Sequence, residues 1–182
     1  GALTVNGAAV GGGGGAWTYL STITASASTV DFTSDFSSTY DDYMVVINDW
    51  NGAYTGHSFY CQVRAAGTWI TTATYNWNLY YMTVGSATVA VQYGINNSFM
   101  NLTAGQVSSV SSQGTSLVVH LPNVNGSSKK TIWSHAGFSP YNNKTTAFMA
   151  GQIDTTSVID GVRLTLSNGT MTGTFKLYGL AK

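Results

Sequence analysis

The sequence predicts an all-β fold of antiparallel strands, and three observations carry the prediction. Glu is absent from the 182 residues and Lys, Arg and Leu are scarce. The residues that best sustain exposed helices are therefore missing, while the abundant Val, Ile, Thr, Tyr, Phe and Trp favour pleated surfaces. Strand-like segments recur at the roughly 8–12-residue spacing of sandwiches and barrels, separated by Gly, Asn, Asp and Ser turns. The two prolines, Pro122 and Pro140, fall at strand ends, where no ladder N–H is lost.

The chain opens with LTVNGAAV and then five glycines, Gly11, Gly12, Gly13, Gly14 and Gly15. A phosphate cradle would need a helix or a lysine after such a run, and WTYLSTITA follows instead. Glycine loses more backbone entropy on ordering than any other residue, so this run reads as a flexible tether. Residues 1–15 are thus an arm and tether, and residues 16–182 one globular domain. A hydrophobic content of 43% supplies one sizeable core, and 182 residues less the tether are too short for two comfortable domains.

Along the domain the expected strands are WTYLSTITA (residues 17–25), STVDF (28–32), YMVVIND (43–49), HSFYCQVR (57–64), one long segment TWITTATYNWNLYYMT (68–83) and ATVAVQYG (87–94). TSLVVHL (115–121), TIWSHAGF (131–138), TAFMAGQI (146–153), VRLTLSN (162–168) and GTFKLYGL (173–180) complete them. In VRLTLSN the alternation sets Val162, Leu164 and Leu166 on a buried face. Asn168-Gly169 next reads as a tight hairpin turn pairing the last two strands. In the first strand Trp17, Tyr19, Ser21 and Ile23 share a face by the same alternation. Sandwich, jelly roll and barrel all remain compatible with the pattern.

Charged residues make up only 8% of the chain against roughly 25% in average soluble domains. Net charge is zero, and the only basic pair is Lys129–Lys130, so nucleic acid and anionic membranes are not expected partners. The N-terminus has no charged stretch leading an apolar one, and no apolar run approaches the ~18 residues of a membrane span, so no insertion into a membrane is expected. Cys61 is the single cysteine, which excludes an internal disulfide and suits a core position.

No catalytic residue, metal site or cofactor is expected. His57, His120 and His135 lack a nucleophile elbow, and His120 and His135 lie in strand-like segments as packed or half-exposed rings. Asp41 and Asp42 are sequence neighbours at the start of a strand and point to opposite faces. His57 and Cys61 share a strand face without the further ligands a zinc site needs.

The densest aromatic stretch places Trp69, Tyr75, Trp77 and Tyr81 on one face, as core or subunit interface, and Thr72, Thr74, Asn76, Asn78 and Tyr80 on the other. Rings beside amides and hydroxyls suit sugar faces. Ligand candidates are Trp77 and, in loops, Trp50, Asn51 and Tyr54 of DWNGAY and Tyr141, Asn142 and Asn143 of SPYNNK.

Three stretches together carry a resemblance: WTYLSTITASASTVDFT after the glycines, YDDYMVVIND, and the closing GTFKLYGLAK. They resemble the C-terminal modules of virion structural proteins from tailed bacteriophages. LTVNGAAV is similar to the short segment that precedes such modules in tail-fibre chains, so Val5, Asn6 and Gly7, with the glycines, become attachment residues. The resemblance runs over residues 16–182, with its firm matches at the two ends.

It implies a jelly-roll-like antiparallel β-sandwich on the virion exterior, assembled in the host cytoplasm. It also implies a homotrimer acting in adsorption or capsid decoration. The expected function is a non-enzymatic distal tail-fibre or receptor-binding module that recognises a host surface glycan and contacts other virion proteins. The alternatives are a capsid decoration (cement) protein with residues 1–15 as its arm, and a polysaccharide depolymerase built on Asp49, Asp154 and Asp160.

Overall fold

The computed structural model describes residues 4, 5, 8, 9, 16–53, 56–105, 109, 115–139 and 144–181. Their ordered elements are all strands. β1 (Thr4–Val5) and β2 (Ala8–Ala9) form a small antiparallel pair. Then follow β3 (Trp17–Ala27), β4 (Thr29–Phe32), β5 (Tyr40–Gly52), β6 (Phe59–Ala65), β7 (Thr68–Trp69), β8 (Tyr75–Thr83), β9 (Ala90–Asn97) and β10 (Met100–Asn101). β11 (Thr115–Leu121), β12 (Lys130–Phe138), β13 (Thr145–Ile153), β14 (Ile159–Leu166) and β15 (Met171–Ala181) complete the order. Asn6, Gly7 and the five tether glycines lie outside the described residues.

The fold is an all-β antiparallel sandwich. One sheet has eight strands in the order β3-β15-β5-β11-β12-β13-β8-β9; the other runs β10-β6-β14-β4, with β7 added against β6. Period-two alternation explains why the sheets stack. Tyr43, Val45 and Ile47 of β5 and Leu117, Val119 and Leu121 of β11 face Phe59, Cys61 and Val63 of β6 and Val162 and Leu164 of β14 in one buried cluster. Tyr75 of β8 ties the two sheets: its hydroxyl accepts from the Val63 N–H at 3.0 Å and donates to the Ile70 carbonyl at 2.9 Å. Cys61 is fully buried, and that burial pushes its thiol up to about 12.

Three details differ from the sequence reading. β14 and β15 do not form a hairpin, because β14 lies between β6 and β4 while β15 lies between β3 and β5. A type I′ turn needs positive φ at both central residues. Gly169 has it at 78°, whereas Asn168 is not among the positive-φ residues, so the connection carries the chain from one sheet to the other.

The long segment 68–83 also breaks in two. β7 joins the smaller sheet, taking Trp69 away from Tyr75 and Trp77 and placing it 4.2 Å under the Arg163 guanidinium. The β-branched run between them gives no sign of the corner that Tyr75 holds. Finally, Leu20 is an extra residue where Leu177 pairs with Ser21 and Tyr178 with Tyr19, a β-bulge that switches the face of β3. Both Leu20 and Ile23 thereby pack on the core.

The outer faces of the two sheets differ in charge. On the smaller sheet Arg163 makes a two-pronged pair with Asp31, at 2.8 and 2.6 Å, and Arg64 meets Asp160 at 2.8 Å. The sequence has no Asp, Glu, Lys or Arg between Arg64 and Lys129, and that stretch supplies β8, β9 and β11 of the larger sheet. The larger sheet therefore turns a largely neutral face to solvent.

Candidate functional site

Strand register builds the neutral outer face in rows. One row crosses the sheet through Tyr19, Tyr178, Met44, His120, Trp133, Ala150, Asn78 and Tyr93, each directly opposite the next. The next row contains Val118, His135, Phe148, Tyr80 and Val91. Cross-strand neighbours on one face lie about 4.5–5.5 Å apart, so large rings in these rows must touch. His120 stacks on Trp133 with ring centroids 3.7 Å apart and planes 7° from parallel, and Trp17 meets His120 edge-on at 5.7 Å. His135 stacks on Phe148 at 4.5 Å.

These rings remain open to water: Trp133 is 41% exposed, Tyr80 49%, Phe148 53% and Tyr93 69%. An apolar patch this extensive marks a contact surface. Ala150 interrupts the row of large side chains and leaves a depression on the face. Towards one side a cavity of about 500 Å³ is lined by Asn76, Asn78, Tyr93, Thr131 and Gln152, and towards the other one of about 520 Å³ by Tyr80, Trp133 and Phe148; Ala150 borders both.

Packing among the rings sets the protonation of His120. Burial lowers its pKa below the usual histidine value, and the Asp42 carboxylate opposes that only in part. Above the unfolded-state value both folded and unfolded chains carry neutral His120, and its titration changes nothing. As pH falls below that value the unfolded chain takes up the proton first, so stability is lost down to the lower folded-state pKa. The expected result is a thermal midpoint that drops between pH 7 and pH 5, with a smaller drop in His120→Phe. Identical pH slopes for the two proteins in scanning calorimetry would contradict this.

The sequence-predicted ligand residues scatter. Trp50 is a correction: β5 continues to Gly52, so Trp50 is a strand residue, fully buried with its ring 4.3 Å from Phe59, and presents nothing to a ligand. Asn51 is half-buried and donates to its neighbour's carbonyl, that of Asp49, at 3.2 Å. Trp77 is core as well, its indole N–H donating to the Phe99 carbonyl at 3.0 Å, though it borders the depression from below. Tyr54, Tyr141, Asn142 and Asn143 lie outside the described residues.

Trp133, Phe148 and His135 were missed as ligand candidates. The signal was present, since each alternates with a core residue in β12 or β13 and is therefore an exposed ring on a strand.

Asp154 and Asp160, two of the carboxylates weighed for catalysis, are held in separate ion pairs. Asp154, just after β13, meets Lys129 at 2.5 Å, and Asp160, on the smaller sheet, is held by Arg64 and the Gly67 N–H. Asp42 accepts from the Asn123 N–H and Asp41 from Asn125, both bracing the start of β5. Among the described residues no cluster of three His, Cys, Asp or Glu side chains is placed to hold a metal ion.

Fold and face together define an all-β sandwich with one charged and one neutral aromatic surface. No protein-family model matches the chain, and neither a curated protein nor a solved structure matches it.

Proposed function

We propose that this chain is a non-enzymatic exterior protein of a phage virion, a receptor-binding module that docks as a homotrimer and recognises a host surface glycan. The observation that carries the reading is the largely neutral outer face of the eight-stranded sheet, where exposed rings alternate with amides and hydroxyls. Sugars are bound by stacking on rings and by hydrogen bonds to such groups, without need of charge. The resemblance of the two ends of the chain to phage virion modules supports the same reading.

In the trimer, the apolar flank formed by Val84 and Val89, in the connection from β8 to β9, is the surface a second copy covers. These two side chains are exposed and carry no charge to desolvate. Several copies then present the face together, and avidity raises the useful affinity by about 10²–10⁴.

Sedimentation analysis of the purified chain and a glycan array test the proposal. A trimer that binds a subset of bacterial surface glycans is the expected result. A trimer that binds none of them removes the receptor role. If it instead binds phage heads, and loses them on deletion of residues 1–15, it is a decoration protein.

A further inference from the structure

Resting on that reading, we propose that the depression over Ala150 is the saccharide-binding cleft and that its ligand is a chain of neutral pyranose units. Trp133 forms one wall. His120 covers one face of its indole from β11, so the uncovered face looks the other way, across β13, over the gap that Ala150 leaves. Asn78 stands on the far side of Ala150, in β8. Two strand spacings separate these walls, about 10 Å, which admits a pyranose ring lying against the indole.

The amides of the cleft keep hydrogen-bonding capacity for a ligand. The side chains of Asn78 and Gln152 make no hydrogen bond within the described residues, and both reach solvent. Asn76, paired directly with Gln152, uses its carbonyl oxygen to accept from the Asn96 N–H at 3.0 Å and keeps its NH₂ group. Amides in a row offer donors and acceptors to successive sugar hydroxyls, and a ring presents the apolar surface that the C–H face of a pyranose needs.

Charge decides the class of sugar. No residue lining the cleft is Asp, Glu, Lys or Arg. A uronic or sialic acid unit would leave its carboxylate without a cation as water is displaced, a cost that a neutral hexose avoids. The same lack of a carboxylate pair makes the cleft one that holds a polymer without cutting it.

The test uses the full chain and two probe sets, neutral gluco-, manno- and galacto-oligosaccharides and, as the acidic arm, oligogalacturonates. Isothermal titration calorimetry gives affinity, and the indole N–H resonances in a ¹H–¹⁵N spectrum report the place. Ala150→Phe fills the gap from an exposed position and should abolish binding of a neutral oligosaccharide. Trp133→Ala and Asn78→Ala should each weaken it roughly tenfold or more, the scale of losing a binding anchor. Tyr19→Ala, in the same row but four strands from Trp133, should leave it unchanged.

Circular dichroism and urea melts confirm that each variant folds. Neutral binding that survives both Ala150→Phe and Trp133→Ala places the site elsewhere, overturning the cleft while leaving glycan recognition intact. Binding confined to oligogalacturonates overturns the neutral class. If no glycan on a broad array binds the wild-type trimer, the functional reading falls and the cleft with it.

Discussion

Trp50→Ala is expected to lower the unfolding free energy by about 3–5 kcal/mol, the cost of removing a large buried aromatic side chain. Trp50 is fully buried, its ring 4.3 Å from that of Phe59, which itself lies 6.4 Å from Phe175. These three rings join β5, β6 and β15, so the cavity would open between the two sheets.

The indole N–H of Trp50 has no hydrogen-bond partner among the described residues. An orphaned buried donor costs about 1–3 kcal/mol, so Trp50→Phe removes a penalty as it gives up ring area. It should lose no more than about half of what Trp50→Ala loses. Urea unfolding of the three proteins reads both differences. Equal losses for Phe and Ala would mean that indole shape, and not aromatic burial, holds this part of the core.

The same residue shows where sequence reasoning reached its limit. Strand existence was legible from alternation, and TSLVVHL, for instance, is β11 over residues 115–121. DWNGAY reads as a loop because Asp, Asn and Gly are turn formers, yet β5 runs through to Gly52. Its alternation is reset by Asp49 in the left-handed region at a φ of 51°. That irregularity turns Trp50 inward, and local composition does not encode it.

Pairing was harder to read than strands. Asn168-Gly169 has the composition of a hairpin, but the buried faces of β14 and β15 must meet across the core, and a hairpin would put both strands in one sheet. Tertiary packing outweighed the turn preference.

The candidate site was half visible. Alternation in β8 assigned Tyr75 and Trp77 to one face and Asn76, Asn78 and Tyr80 to the other, as the structure has them. What one strand cannot reveal is its neighbours. Trp133 and Ala150 reach Asn78 only through the order β12-β13-β8, and in that order the pairing of β13 with β8 joins strands about sixty residues apart in the chain. Turn-rich composition points to loops as ligand carriers, while here the rigid sheet itself carries the exposed rings.

Behind the cleft, Gly151 fixes how closely β13 approaches β8, and Gly151→Val is expected to destabilise the fold by about 3 kcal/mol, the upper range for overpacking a filled core. A Cβ at this position would come within 2.7 Å of the Asn76 carbonyl oxygen, 2.8 Å of the Trp77 Cβ and 2.9 Å of the Met100 Cε. The Met100 methyl can swing away. The Asn76 main-chain carbonyl is part of the β8 backbone and the Trp77 Cβ is bonded directly to it; β8 is paired with β13 over nine residues, so neither atom can move without opening the ladder.

Met100→Ala should therefore fail to rescue Gly151→Val, leaving the double variant no more stable than the single one by urea unfolding. Full recovery would show that Met100 alone limits the approach. Even the milder Gly151→Ala should push β13 away from β8, widening the gap between Ala150 and Asn78. An oligosaccharide bridging Trp133 and Asn78 would then bind more weakly to protein that is still folded, coupling the packing behind the sheet to recognition on its face.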